Sequence, residues 1–206
     1  MIYALIFAAL ALIYLWLEPL AKRVDPMVPL SLVKWTLLGG AGGLGLWRLA
    51  INGWSGLPLA HWTGALLPYL ALVALICAAL CLVFRRHLRE PQFDEAGAKR
   101  IAKHLTWGLL QQALLLGFLV PEVGPWWAVS IFAAIHLPNP MLTALVTVGG
   151  LGSIWIWGWA PSVLVAGCAH ATLSALVDAF LPPSITLGMA VGPGALKRLN
   201  DRLMFL

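Results

Sequence analysis

The sequence predicts an all-α, polytopic membrane helical bundle with about seven or eight transmembrane helices, and three observations carry that expectation. Apolar residues make up 61% of the 206 residues and charged ones only 10%, whereas a soluble domain is about a quarter charged. Residues 2–17 hold no polar side chain except the hydroxyls of Tyr3 and Tyr14 and the Trp16 indole N–H, and residues 62–84 are interrupted only by Thr63, Gly64 and Pro68. About 20 such residues cross the hydrocarbon of a bilayer. Of the 13 basic residues, all but Arg48 gather in three places: Lys22, Arg23 and Lys34; Arg85, Arg86, Arg89, Lys99, Arg100 and Lys103; and Lys197, Arg198 and Arg202. These basic loops alternate with uncharged ones, the positive-inside pattern. They are therefore expected to be cytoplasmic in a plasma (inner) membrane protein whose N-terminus lies outside. The net charge of +5 follows from that asymmetry and gives no ground for a nucleic-acid partner.

In chain order, the first span is expected over about residues 2–19. It has neither a basic start nor a small-residue cleavage site, so it reads as a retained helix and not a removed signal. Pro26 and Pro29 break the loop that follows. The second span covers about residues 30–51. Its run Gly39-Gly40-Ala41-Gly42-Gly43 lacks the Lys-Ser/Thr of a phosphate loop, and reads as a close-packing face, since small residues let membrane helices approach. The third span is residues 62–84. Residues 85–104 are basic with acidic interruptions and read either as an amphipathic surface helix or as a solvated linker. The fourth span is about 105–120, followed by a tight turn over 121–125. The fifth is about 126–137, stopped by Pro138 and Pro140. The sixth is about 141–159, with Gly149, Gly150 and Gly152 expected to pack closely. The seventh is about 162–181. Residues 184–191 are too short to cross and read as a re-entrant or interfacial piece. Tryptophans at 54, 62, 126, 127, 155, 157 and 159 fit an interfacial aromatic belt. There is no internal repeat or low-complexity tract, so residues 1–206 form one domain.

Polar groups in hydrocarbon are costly and need partners. In the second half of the chain Gln111, Gln112, His136 and His170 are the strong hydrogen-bonding side chains inside apolar runs or at their inner ends. Phe132 shares a face with His136, and Ser174 with His170, each pair four residues apart. Gln111 lies eight residues past Lys103, about 12 Å deeper at 1.5 Å per residue. The four polar residues are expected to meet at one buried site. Each taken singly reads as an interhelical hydrogen-bond clamp, and Phe132 as packing. Cys77, Cys81 and Cys168 read as small buried thiols, and Cys168 and His170, two apart, point to different helix faces. Two histidines without a third ligand do not make a zinc site; neither metal nor cofactor is expected.

The ordered set resembles the CAAX protease and bacteriocin-processing (CPBP) family of intramembrane proteases. Members carry Glu-Glu-x-x-x-Arg-Gly, then Phe-x-x-x-His, then His-x-x-x-Asn or similar. Here Gln111-Gln112-Ala113-Leu114-Leu115-Leu116-Gly117 stands in the first place, Phe132 to His136 with Leu137-Pro138-Asn139-Pro140 in the second, and His170 to Ser174 in the third. The resemblance covers about residues 105–180. It implies an intramembrane endopeptidase acting on a membrane-embedded or lipid-linked peptide. Catalysis would fall to His136, His170, Gln111 and Gln112, and substrate contact to Phe132 and Ser174. The departures are chemical: both glutamates are glutamines, the arginine is Leu116, and the asparagine is Ser174. An amide cannot act as a general base, and losing such a base typically costs about 10²–10⁴-fold. Glu122 lies roughly 16 Å further along the axis from Gln111, and Asp178 about 12 Å from His170, so neither replaces it. His136 is left as the base, with Gln111 orienting water and His170 donating to the oxyanion. The alternative from another class is an inert relative that binds membrane peptides or partner proteins in the same pocket. A small transporter fits less well, because coupling-ion sites usually need a charge at mid-membrane.

Overall fold

The computed structural model describes residues 62–90 and 95–203, together with Gly39, Gly40, Gly43, Trp47 and Ala50. The expected first span, most of the second, and Trp54 lie outside the described residues. Among the described residues the secondary structure is helical, with no strand. The order is α1 (Trp62–Phe84), α2 (Glu95–Gln112), a π-helical segment (Ala113–Leu119), α3 (Val120–Val123), α4 (Pro125–Ala134), α5 (Pro140–Trp157), α6 (Val163–Phe180), α7 (Pro183–Thr186), a 3₁₀ turn (Leu187–Met189) and α8 (Gly192–Leu203). Among the described residues three helices are long and apolar enough to cross a membrane: Thr63–Phe84, Pro140–Trp157 and Val163–Phe180. The apolar helix Pro125–Ala134 is shorter. On α1, Leu67 is 72% exposed and Leu82 75% exposed, the outward apolar face that a span turns to lipid.

Several boundaries differ from the sequence expectation. The expected fourth span starts ten residues earlier, at Glu95, because Ala, Lys, Arg, Ile and Leu through this stretch all favour helix. The basic residues Lys99 and Lys103 are thus the first turns of the helix that carries Gln111. After Gln112 the helix widens into the π segment, whose seven residues are all buried. Eleven residues of regular α-helix would return Glu122 to nearly the face of Gln111; the π spacing between them shifts that phase. The tight turn expected over 121–125 is the single helical turn α3 ended by Gly124, whose φ of +81° suits glycine; Pro125 then opens α4 at its first position. Residues 184–191 form α7 and a turn in which Leu187, Gly188 and Met189 all have φ between 50° and 59°. Residues 192–203, read from sequence only as a basic loop, are the helix α8.

The π segment sits at the centre of the core. Leu114, Leu115, Leu116 and Leu119 are each no more than 1% exposed and pack with Tyr69, Phe132, Ile156 and Ala166. Tyr69, buried on α1, donates its hydroxyl to the Ser153 carbonyl on α5 at 3.2 Å. The tightest crossing is between α2 and α6. A Cβ on Gly108 would lie 2.7 Å from the Gly167 oxygen, and one on Gly167 would lie 2.9 Å from the Leu109 Cα. Gly152 also sits in close contact, with Leu72, as expected, and Gly150 faces Val129 and Leu115 at ordinary distance. The close packing expected at Gly39, Gly43 and Gly149 is not found among the described residues: a Cβ there meets none of their atoms within 4 Å.

The thiols also depart from expectation, since Cys81 and Cys168 are exposed. A thiol is a small, weakly polar group that an apolar outer surface accommodates as readily as a core. Trp126, Trp127, Trp155 and Trp159 are exposed where α4 starts and α5 ends, as an aromatic belt requires; Trp157 is half-buried.

Bulk at the α2–α6 crossing is expected to be costly. Gly167→Val should lower the stability of the detergent-solubilised protein by about 1–3 kcal/mol, read as a fall in Tm, while Gly149→Ala should change it by less than about 0.5 kcal/mol.

Candidate functional site

The four polar residues do meet, in two amide–imidazole pairs. Gln111 and Gln112 are the last residues of α2. Because the Gly108–Gly167 contact brings α2 against α6, Gln112 reaches His170, with Nε2 3.0 Å from its Nδ1. Gln111 turns the other way, and its Nε2 lies 3.5 Å from Nε2 of His136, the long limit of a hydrogen bond. His136 stands in the turn after α4, where its Nδ1 lies 2.7 Å from the Phe132 carbonyl. The Phe132 ring, fully buried, joins the pairs: its centroid is 5.2 Å from that of His136 and 6.4 Å from that of His170.

These contacts dictate which nitrogen holds the proton in each neutral ring. A carbonyl oxygen only accepts, so Nδ1 of His136 carries hydrogen and Nε2 keeps the lone pair. An amide nitrogen only donates, so Nδ1 of His170 accepts from Gln112 and Nε2 carries hydrogen. The two rings therefore offer opposite functions, a basic lone pair on His136 and an N–H donor on His170. Gln112 is 2% exposed, and its Oε1 finds no hydrogen-bond partner in the protein. A buried acceptor of this kind costs about 1–3 kcal/mol unless a donor reaches it.

Ser174, the remaining expected contact residue, is half-buried one helical turn past His170, about 6 Å along the axis, and takes no part in the contacts that join the other five. Asp178 is turned elsewhere, with Oδ2 3.5 Å from His104 Nε2. Cys168 lies on a different face of α6 from His170. It borders an apolar groove of about 290 Å³ between α1 and α6, lined also by Leu66, Tyr69 and Leu164. Among the described residues no three His, Cys, Asp or Glu side chains cluster as metal ligands would.

Sequence reasoning missed the residue that fixes the His136 turn. Asn139 is 0% exposed. Its Oδ1 caps α5 by accepting from Leu142 N at 3.1 Å, and its Nδ2 donates to the carbonyls of Thr186 and Ala190 at 2.8 Å each. The signal was present as Asn followed by Pro, a capping residue and a first-turn proline. Its backbone N–H donates to the His136 carbonyl at 3.1 Å, so the cap and the imidazole share one turn.

Comparison with family models, with curated proteins and with solved structures finds no match to this chain.

The Gln112–His170 pair should show a measurable coupling. A double-mutant cycle with Gln112→Leu and His170→Leu, followed by unfolding in detergent or bicelles, should give about 0.6–1.7 kcal/mol of interaction energy. Additive effects of the two substitutions would mean that the bond does not form.

Proposed function

We propose that the chain is a multi-pass inner-membrane protein whose buried site hydrolyses a membrane-embedded or lipid-linked peptide, as a divergent relative of the CPBP intramembrane proteases. The observation that carries this reading is the pair of amide–imidazole contacts, Gln111 with His136 and Gln112 with His170, brought beside one phenylalanine. In the reaction, His136 Nε2 takes a proton from water as the water oxygen attacks the peptide carbonyl. Gln111, next to Nε2, holds that water. The N–H of His170 donates to the oxyanion, and the proton on His136 then passes to the leaving amine as the C–N bond breaks. Gln112 keeps His170 in the donating tautomer. The basic loops face the cytoplasm and the N-terminus lies outside, following the charge asymmetry.

A second reading, a catalytically inert relative that binds membrane peptides or partner proteins, is favoured by one specific contact. The amide of Gln111 points at the lone pair of His136, where the family carries a carboxylate, and an amide cannot relay a proton.

The two are separated by reconstituting the protein in liposomes with candidate membrane peptides. For the hydrolase, His136→Ala should lower cleavage about 10²–10⁴-fold; equal cleavage by parent and variant, or none by either, removes that reading. For the inert binder, Gln111→Glu should create cleavage that the parent lacks.

A further inference from the structure

Three basic segments far apart in sequence come together around one end of α6. The chain after α1 is tied there by Arg89, whose backbone N–H donates to the Phe180 carbonyl at 3.0 Å and whose Nε donates to that of Ala179 at 3.0 Å. Its Nη2 reaches the Asp178 carbonyl. The middle of α2 is tied by the contact of His104 with Asp178 at 3.5 Å. The end of the chain is tied by Arg198, whose Nη1 donates to the Leu187 carbonyl at 2.7 Å, and by the grip of Asn139 on Ala190. Of the side chains described at this end seven are basic and three (Glu90, Asp178, Asp201) are acidic, an excess of four. At the opposite end the acid Glu122 and four exposed tryptophans stand instead.

We infer that this end is a binding surface for the headgroups of anionic phospholipids, formed by Arg85, Arg86, Lys103 and Lys197, with α8 lying in the interface. Two features select a lipid surface over an acidic protein. Arg85 and Arg86 follow directly on Phe84, the last residue of an apolar span, so their exposed guanidinium groups sit at the depth where lipid phosphates lie. The helix α8 has the two-sided pattern of an interfacial helix: Ala195 is fully buried and Leu196 and Leu199 half-buried, while Lys197, Arg198 and Asn200 are exposed. Basic side chains at that level attract anionic lipid, each by about fivefold in affinity. The surface requires nothing of the chemistry at His136 and His170.

The test is native mass spectrometry of the whole protein in detergent, with phosphatidylglycerol and phosphatidylcholine in competition. The parent should retain phosphatidylglycerol preferentially. Combining Arg85→Gln, Arg86→Gln and Lys197→Gln should lower that preference by about a hundredfold, whereas Arg85→Lys, Arg86→Lys and Lys197→Arg together should preserve it. If the triple glutamine variant does not fold, Lys197→Gln alone should lower the preference about fivefold. Equal retention of both lipids by the parent, an unchanged preference in the glutamine variants, or complete displacement of the lipid by equimolar inorganic phosphate would overturn the inference.

Discussion

The arrangement depends on the approach of α2 to α6 at Gly108 and Gly167. Lipid gives no hydrophobic advantage to one apolar helix against another, so association rests on how closely backbones can pack. Here the missing side chains of two glycines let a carbonyl on one helix lie against the other. That crossing is about one turn from Gln111 and Gln112 on α2 and three residues from His170 on α6. The distance at the crossing therefore sets the distance at the amide–imidazole pair. The π segment beyond it carries the widened helix into the core, where its leucines hold α4, and with it His136, opposite.

Within that frame the polar groups determine one another. Each glutamine has a histidine; His170 is left with a free Nε2, while Nε2 of His136 faces the Gln111 amide at 3.5 Å. The Phe132 carbonyl fixes one ring and the Gln112 amide fixes the other. A site with a single His–Gln clamp would satisfy its polar groups and offer nothing more. Two such pairs on rings of opposite tautomer, sharing a phenylalanine, place a proton acceptor and a proton donor on neighbouring rings. The unpartnered Gln112 oxygen adds a buried acceptor to the same place.

Much of this was legible in the sequence because hydrocarbon leaves so few choices. Apolar runs of span length could only be helices, and the few amides and imidazoles among them needed one another. The ordering of Gln111, Gln112, His136 and His170 along the chain was enough to bring them to one site. What stayed hidden depended on contacts between segments. Gly108 looked like any single glycine in a helix, and only its partner at 167 gives it a role. The π segment has no composition that separates it from an α-helix. Asn139 went unread as a cap, and its two donor bonds involve carbonyls about fifty residues away. The helix at 192–203 was obscured by its charges, which read as a loop until its buried Ala195 and half-buried leucines were placed.

The grip of Asn139 on Thr186 and Ala190 has a consequence for biosynthesis. The turn bearing His136 emerges from the ribosome well before the carbonyls that fasten it. Until residue 190 has been made and folded back, the imidazole stands on a tether secured at one side only. A nascent chain truncated before that point would contain all four polar residues and still lack the brace that orders them, so the site is completed only after residue 190 has folded back.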